Sequence, residues 1–119
     1  MGAAYVGDSR DLLRELKDDS VNLVITSPPF ALLRKKEYGN ESQADYVDWL
    51  ASFAEIVREK LTEDGSFVVD LGGAYEKGSP TRSLYNFRVL LKFVDDLKFV
   101  LAEDFYWFNH QNCQARLNG

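Results

Sequence analysis

A serine, two prolines and a phenylalanine follow directly on a run of apolar residues, in the segment Ser27-Pro28-Pro29-Phe30. The run before them, residues 21–26, reads Val-Asn-Leu-Val-Ile-Thr and is typical of a buried β-strand. Proline fixes φ and donates no backbone hydrogen bond, so the strand is predicted to end abruptly in a rigid loop. The carbonyl oxygens of Ser27 and Pro28 are then left beside a hydroxyl and in front of an aromatic ring. These acceptors suit a ligand with an amino group on a flat ring, and a plain strand end with a proline turn is an equal alternative.

An amine attached to an aromatic base is a poor nucleophile, because its lone pair is delocalised into the ring. The Ser27 hydroxyl and the Ser27 or Pro28 carbonyl can hold its N–H bonds and free that lone pair, while Phe30 stacks on the ring. The amine can then attack an electrophilic methyl group directly, so that catalysis is mainly positioning and electrostatics. Serine alone is a weak base, so a carboxylate should help to take the proton, and Asp70 after a second apolar run is the candidate. The simpler alternative is that Asp70 caps the Gly72-Gly73 loop.

Strands and helices are predicted to alternate along the chain. In order, the expected elements are a strand end at Tyr5-Val6, a helix capped by Asp8 or Ser9, strand 21–26, helix 43–61, strand 66–71, helix 84–96 and strand 99–108. This alternation predicts right-handed crossovers and a parallel sheet with helices on its faces. Ligands bind beyond the carboxyl ends of such strands. Those ends are Gly7-Asp8-Ser9, Ser27-Pro28-Pro29-Phe30, Asp70-Leu71-Gly72-Gly73 and the region of Trp107-Phe108-Asn109.

The predicted helices each have an apolar face. On the first, it comprises Leu12, Leu13 and Leu16. On the long helix, apolar positions repeat at intervals of three and four: Val47, Leu50, Ala51, Ala54, Val57 and Leu61. On the last, the inner face is expected to hold Phe87, Leu90, Leu91 and Val94. A turn is expected between the long helix and its strand, at residues 63–65.

The bulk composition is that of a soluble globular domain. With 119 residues, 45% hydrophobic and 28% charged, the chain is near the usual size of one domain. A net charge of −5 argues against a free-standing nucleic-acid-binding protein, though not against a piece of one. No apolar run approaches the ~20 residues of a membrane span, and no signal peptide is visible at the start. The only cysteine is Cys113, so we expect no internal disulfide and a reducing cytoplasm.

Ser-Pro-Pro-Phe after an apolar strand resembles the catalytic signature of amino-methylating DNA methyltransferases, which use S-adenosylmethionine. The resemblance runs from about Val6 to Asn109 and is carried by long blocks: Thr26–Leu32, Arg34–Asn40, Gly65–Asp70, Gly72–Tyr75 and Leu101–Asn109. The serine form of the signature implies cytosine N4 as the acceptor, because adenine enzymes more often carry Asp or Asn there; adenine stays open. The implied fold is α/β, a partial Rossmann-like methyltransferase sheet of mostly parallel strands with helices on both faces.

The resemblance implies roles for the positions that match the signature. Ser27, Pro28, Pro29 and Phe30 would form the pocket for the target amine, with Asp70 polarising Ser27 or accepting the proton. The base would come from double-stranded DNA and would have to be flipped out of the stack to reach this pocket. The implied setting is the cytoplasm of a prokaryote.

Two further groups of residues are implied to bind the cofactor and the DNA. Asp8 and Ser9, together with Ser27, would lie beside S-adenosylmethionine. The basic residues Arg34, Lys35 and Lys36 would meet DNA phosphates near the flipped base, with a solvated surface run as an equal alternative.

The sequence is expected to depart from the family after Asn109. We expect residues 1–108 to be the amino-terminal part of a catalytic domain and residues 109–119 to be a non-matching polar tail. In the family, a glycine-rich cofactor loop of the type Phe-x-Gly-x-Gly and a target-recognition region come later, and neither follows here. The expectation is therefore a truncated, frameshifted or split gene product, with an incomplete cofactor site and no activity alone.

Several alternatives accompany this interpretation. The chain is expected either to work with a complementary methyltransferase fragment, or to be a non-catalytic remnant that self-associates through an unpaired sheet edge. Residues 69–73 resemble the Asp-x-Gly-x-Gly cofactor loop of a small-molecule methyltransferase only weakly, because Ala74 stands where the last glycine belongs. His110 and Cys113 have a His-x-x-Cys spacing, but two ligands in a polar tail are weak evidence for a metal site, and none is predicted.

Overall fold

The computed structural model of the chain describes residues 2–29, 43–76 and 78–107. Within these ranges the elements are α1 (Ser9–Arg14), β1 (Val21–Thr26), α2 (Gln43–Lys60), β2 (Leu61–Val69), α3 (Tyr85–Leu91) and a π-helical segment (Lys92–Asp96). The predicted alternation of strands and helices, and with it the α/β class, is confirmed. In this part of the chain no helix is both long enough and apolar enough to cross a membrane.

The two strands lie side by side in parallel. Leu23 is paired with Ser66, and the register then runs in step to Thr26 and Val69. Val21 is paired with Leu61, so the register shifts between Val21 and Leu23, where β2 contains additional residues. The turn expected at residues 63–65 is thus an irregularity within β2, where a Cβ on Gly65 would lie 3.0 Å from the Val21 carbonyl oxygen. The parallel register brings the carboxyl ends of both strands to the same edge of the sheet.

The core lies between α2, α3, the π-helical segment and one face of the sheet. All the residues of the predicted α2 stripe are buried: Val47, Leu50, Ala51, Ala54, Val57 and Leu61. On the sheet, Phe67 packs against this core and stacks on Phe93, with ring centroids 5.9 Å apart. The apolar stripe therefore identified the element around which the chain packs.

The opposite face of the sheet is apolar and exposed. Leu23, Ile25 and Val68 point away from the core and are 53%, 68% and 47% exposed. Because side chains alternate along a strand, these three residues share one face across the paired register. Within the described residues, α2 and the π-helical segment pack on the other face, next to Phe67 and Val69, and leave this one open.

The buried face of the last helix differs from the predicted one. Tyr85, Val89 and Phe93 are the buried residues, whereas Phe87 and Leu91 are 48% and 57% exposed. The buried positions recur every four residues, and the last of them lies in the π-helical segment, whose wider turn favours this spacing. Apolar residues occur on both sides of this helix, so periodicity alone did not identify the buried side.

Two of the expected strands are wrong. Tyr5-Val6 and residues 99–107 lie outside any strand, and Phe108 is outside the described residues. An extended segment becomes a strand only when a neighbouring strand satisfies its backbone groups, and within the described residues neither segment has one. Phe99 nevertheless packs on Phe67 and Phe93, at centroid distances of 5.6 and 5.9 Å.

Candidate active site at the strand ends

The fold brings Ser27 and Asp70 together across a separation of 43 residues. The Ser27 hydroxyl donates a hydrogen bond to Asp70 Oδ2 at 3.2 Å, and both side chains are exposed to solvent. The Asp70 backbone N–H donates to the Thr26 carbonyl at 2.9 Å, which extends the sheet pairing to the point where both strands end. A hydroxyl in contact with a carboxylate, open to solvent at a strand end, is an arrangement that can accept N–H bonds and a proton.

The two prolines differ in their surroundings. Pro28 is buried and Pro29 is exposed. The Pro29 carbonyl accepts a hydrogen bond from the Tyr46 hydroxyl at 2.6 Å. Within the described residues, no hydrogen bond reaches the Ser27 or Pro28 carbonyl.

Sequence reasoning missed Tyr46 and Tyr85, the two largest fully buried side chains among the residues that the structure describes. The Tyr85 hydroxyl donates to the Gly72 carbonyl, in the loop after β2, as the Tyr46 hydroxyl does to the loop after β1. A buried tyrosine needs a partner for its hydroxyl. Tyrosines at the starts of two apolar helices were the available signal, but their partners depend on the tertiary packing.

Arg82 was also missed. Its guanidinium lies so close to Gly73 that a Cβ added there would meet Arg82 Nη2 at 2.2 Å. Its guanidinium carbon lies 6.0 Å from the centre of the Tyr75 ring. The absence of a side chain at Gly73 thus allows a cation to rest against the loop that carries Asp70.

The residues predicted to lie beside the cofactor have a structural role at the start of α1. Asp8 is the N-cap, and both of its carboxylate oxygens accept hydrogen bonds from Arg10. These bonds, with the positive charge of Arg10, lower the pKa of the Asp8 carboxyl below its usual value. Ser9 is the first residue of the helix. The described contacts of the Asp8 carboxylate therefore hold the start of α1, and they do not form a cofactor site.

Some predicted site residues lie outside the described part of the chain. They are Phe30, Arg34, Lys35, Lys36, His110 and Cys113. In the ranges that the structure describes, no group of three or more His, Cys, Asp or Glu side chains is placed to hold a metal ion.

The buried phenol of Tyr85 has an unusual electrostatic environment. Burial raises its pKa above 10.0, and the nearby negative charge of Asp70 raises it further. The phenol is therefore within electrostatic reach of the candidate site.

Raising the pH is expected to destabilise the fold through Tyr85. The folded state holds the Tyr85 proton more tightly than the unfolded state does. The resulting contribution to the free energy of unfolding is fully present below the unfolded pKa of about 10. It is lost as the pH rises through the raised folded pKa. Phenolate absorbance, compared between the wild type and Tyr85→Phe, isolates this titration. Asp70→Asn is expected to lower the midpoint, whereas an unchanged midpoint would contradict the proximity of the two groups.

The model of the DNA methylase family matches residues 21–118, and the chain belongs to this family. The resemblance inferred from Ser-Pro-Pro-Phe is confirmed.

Individual relatives agree with this assignment. The chain is 64% identical over 108 residues to the type II methyltransferase M.PvuII of Proteus hauseri, covering 91% of this chain and 32% of that protein. It is 38% identical over 114 residues to M.SfiI of Streptomyces fimbriatus, covering 79% of this chain and 27% of that one. A solved structure of the PvuII DNA methyltransferase, described as cytosine-N4-specific, superposes with a TM-score of 0.80 at 63% identity, over 89% of this chain and 38% of that chain. The chain thus spans about a third of the length of these relatives.

Proposed function

We propose that this chain forms the target-amine half of a cytosine-N4 DNA methyltransferase, the half that receives the exocyclic amine of a flipped base. The observation that carries the proposal is the hydrogen bond from the Ser27 hydroxyl to Asp70 at the shared strand end. The family match and the description of the PvuII relative as cytosine-N4-specific support it. The acceptor is assigned as cytosine on the serine of the signature and on that relative, and adenine is the alternative.

The chemistry assigned to this site is the activation and deprotonation of an amine. S-adenosylmethionine, when bound, supplies a methyl group on a positively charged sulfur, which leaves as a neutral thioether as the new N–C bond forms. The Ser27 hydroxyl donates to Asp70, so its oxygen lone pairs can accept an N–H bond of the amine. The Ser27 or Pro28 carbonyl accepts the second N–H bond. The amine proton passes to Asp70, directly or through the Ser27 hydroxyl.

We also propose which residues contact the cofactor and the DNA. Phe30 would stack on the base, and Arg34, Lys35 and Lys36 would contact phosphates of double-stranded DNA. Asp8 and Ser9 would lie at the edge of the S-adenosylmethionine site. Since the described contacts of Asp8 go to Arg10, we assign most of the cofactor site to other parts of the methyltransferase fold. The setting we propose is the cytoplasm of a prokaryote.

The exposed sheet face supports a role for further protein in the working enzyme. Leu23, Ile25 and Val68 form an apolar face that water would otherwise cover. The chain matches only 38% of the PvuII structure, and the matched part superposes closely. We therefore propose that the remaining part of a methyltransferase domain covers this face, in the same polypeptide or another. The alternative is a non-catalytic remnant whose copies associate through an unpaired edge of the sheet.

Mixing the chain with the part of the Proteus hauseri methyltransferase that it does not match tests the proposal. We expect N4-methylcytosine in duplex DNA from the mixture, and less from either component alone, as measured by mass spectrometry. Leu23→Asp should weaken the reconstitution, while the matched change Leu84→Asp, at another exposed leucine, should not. A mixture that forms a stable complex but never methylates DNA would contradict the catalytic role. If the chain sediments as a dimer that the second component does not dissociate, the result would favour the non-catalytic remnant.

A further inference from the structure

Two buried tyrosines link the loops that carry the candidate catalytic residues. Tyr46, near the start of α2, donates its hydroxyl to the Pro29 carbonyl at 2.6 Å. Tyr85, at the start of α3, donates its hydroxyl to the Gly72 carbonyl. Pro29 lies two residues beyond Ser27, and Gly72 lies two residues beyond Asp70. Each loop is thus held at the equivalent position after its site residue.

The two rings also contact each other. Their centroids are 5.4 Å apart and the rings are inclined at 84°, an edge-to-face arrangement. Tyr46 is 2% exposed and Tyr85 is fully buried, so the packed core fixes both rings. A rigid path therefore runs from the Pro29 carbonyl through the two rings to the Gly72 carbonyl.

The helix starts that carry the tyrosines are themselves tied together. The Ser83 hydroxyl donates to the Gln43 side-chain carbonyl, which lies at the first residue of α2. The same hydroxyl accepts the Tyr85 backbone N–H at 3.1 Å. The Ser83 backbone N–H donates to the Ala74 carbonyl in the loop after β2. The tyrosine pair is therefore anchored to this loop independently of the sheet.

From this arrangement we infer that Tyr46 and Tyr85 are positioning residues, whose hydroxyls set the spacing between the two loops and so align Ser27 with Asp70. The inference rests on the proposed function of that pair. Sheet pairing fixes the strands only as far as the bond between Asp70 and Thr26, and the loops beyond it need another constraint. A phenylalanine would fill the core equally well at either position but would hold neither carbonyl. A tyrosine at both sites is therefore explained by the loops rather than by packing.

Single and double changes to phenylalanine test the inference on the isolated chain first. Tyr46→Phe and Tyr85→Phe remove only a hydroxyl, and Tyr5→Phe, at an exposed tyrosine, is the matched control. We expect amide hydrogen exchange at Asp70, whose N–H donates to the Thr26 carbonyl, to become about tenfold faster in either core variant and to be unchanged in the control. Circular dichroism checks that each variant is folded. An Asp70 exchange rate that matches the wild type in both core variants would overturn the inference.

Methyl transfer in the reconstituted mixture gives the second readout. We expect each core variant to lower kcat about tenfold and to leave the KM for DNA within about twofold, because misalignment affects the reacting groups more than binding. The double variant should lose less than the product of the two single losses, since the pair acts as one link. If kcat falls in Asp70→Asn but not in the tyrosine variants, the inference fails and the proposed function stands. If Asp70→Asn is also without effect, the proposed function itself fails.

Discussion

Asp70→Asn is expected to lower the rate of methyl transfer by about 10²- to 10⁴-fold, the range typical of a lost general base. The amide keeps an oxygen that can accept the Ser27 hydroxyl, so the contact between the two side chains survives. It cannot accept the amine proton, so the chemical step loses its proton acceptor. The measurement is kcat for N4-methylcytosine formation by the chain reconstituted with the unmatched part of the Proteus hauseri relative.

Matched variants separate this effect from a general loss of charge. Asp64→Asn removes a carboxylate that accepts the Thr62 hydroxyl at 3.0 Å, away from the strand ends, and should leave kcat within about twofold. Ser27→Ala should also lower kcat, because it removes the group that contacts both Asp70 and the proposed amine. Wild-type turnover by Asp70→Asn would remove the carboxylate from the mechanism.

Phe93→Ala is expected to lower the free energy of unfolding by about 3–5 kcal/mol, the usual cost of truncating a buried aromatic residue. Phe93 is 8% exposed, stacks on Phe67 and contacts Phe99. Its removal leaves a cavity between the π-helical segment and the inner face of the sheet. Chemical denaturation followed by circular dichroism measures the change, which is large against the marginal stability of a domain of this size.

Phe105→Ala is the control for the same chemical change. Phe105 is 85% exposed, so its truncation should alter the free energy of unfolding by less than about 0.5 kcal/mol. Equal losses in the two variants would mean that Phe93 does not anchor the core in solution. A third variant, Phe93→Leu, keeps most of the volume and should recover much of the stability.

Local patterns predicted some elements and not others. The α2 stripe was predictable because intervals of three and four residues define one face of a helix, and β1 because a β-branched run ends at two prolines. The buried face of α3 was not predictable, since Phe87 and Leu91 are as apolar as Tyr85 and Val89. The segment 99–107 is apolar enough for a strand, but a strand depends on a neighbour that its own sequence does not specify.

The amino-acid sequence by itself determined the family, the α/β class and the candidate pair Ser27 and Asp70. It did so because a signature after an apolar strand is a local feature and because parallel strands end at one edge. Only the tertiary structure decided that the Ser27 hydroxyl contacts Asp70, that Asp8 is held by Arg10, and that Tyr46 and Tyr85 secure the two loops. Each of these contacts joins side chains whose approach depends on how helices pack on the sheet. That packing is set by the whole core at once, and no single stretch of sequence encodes it.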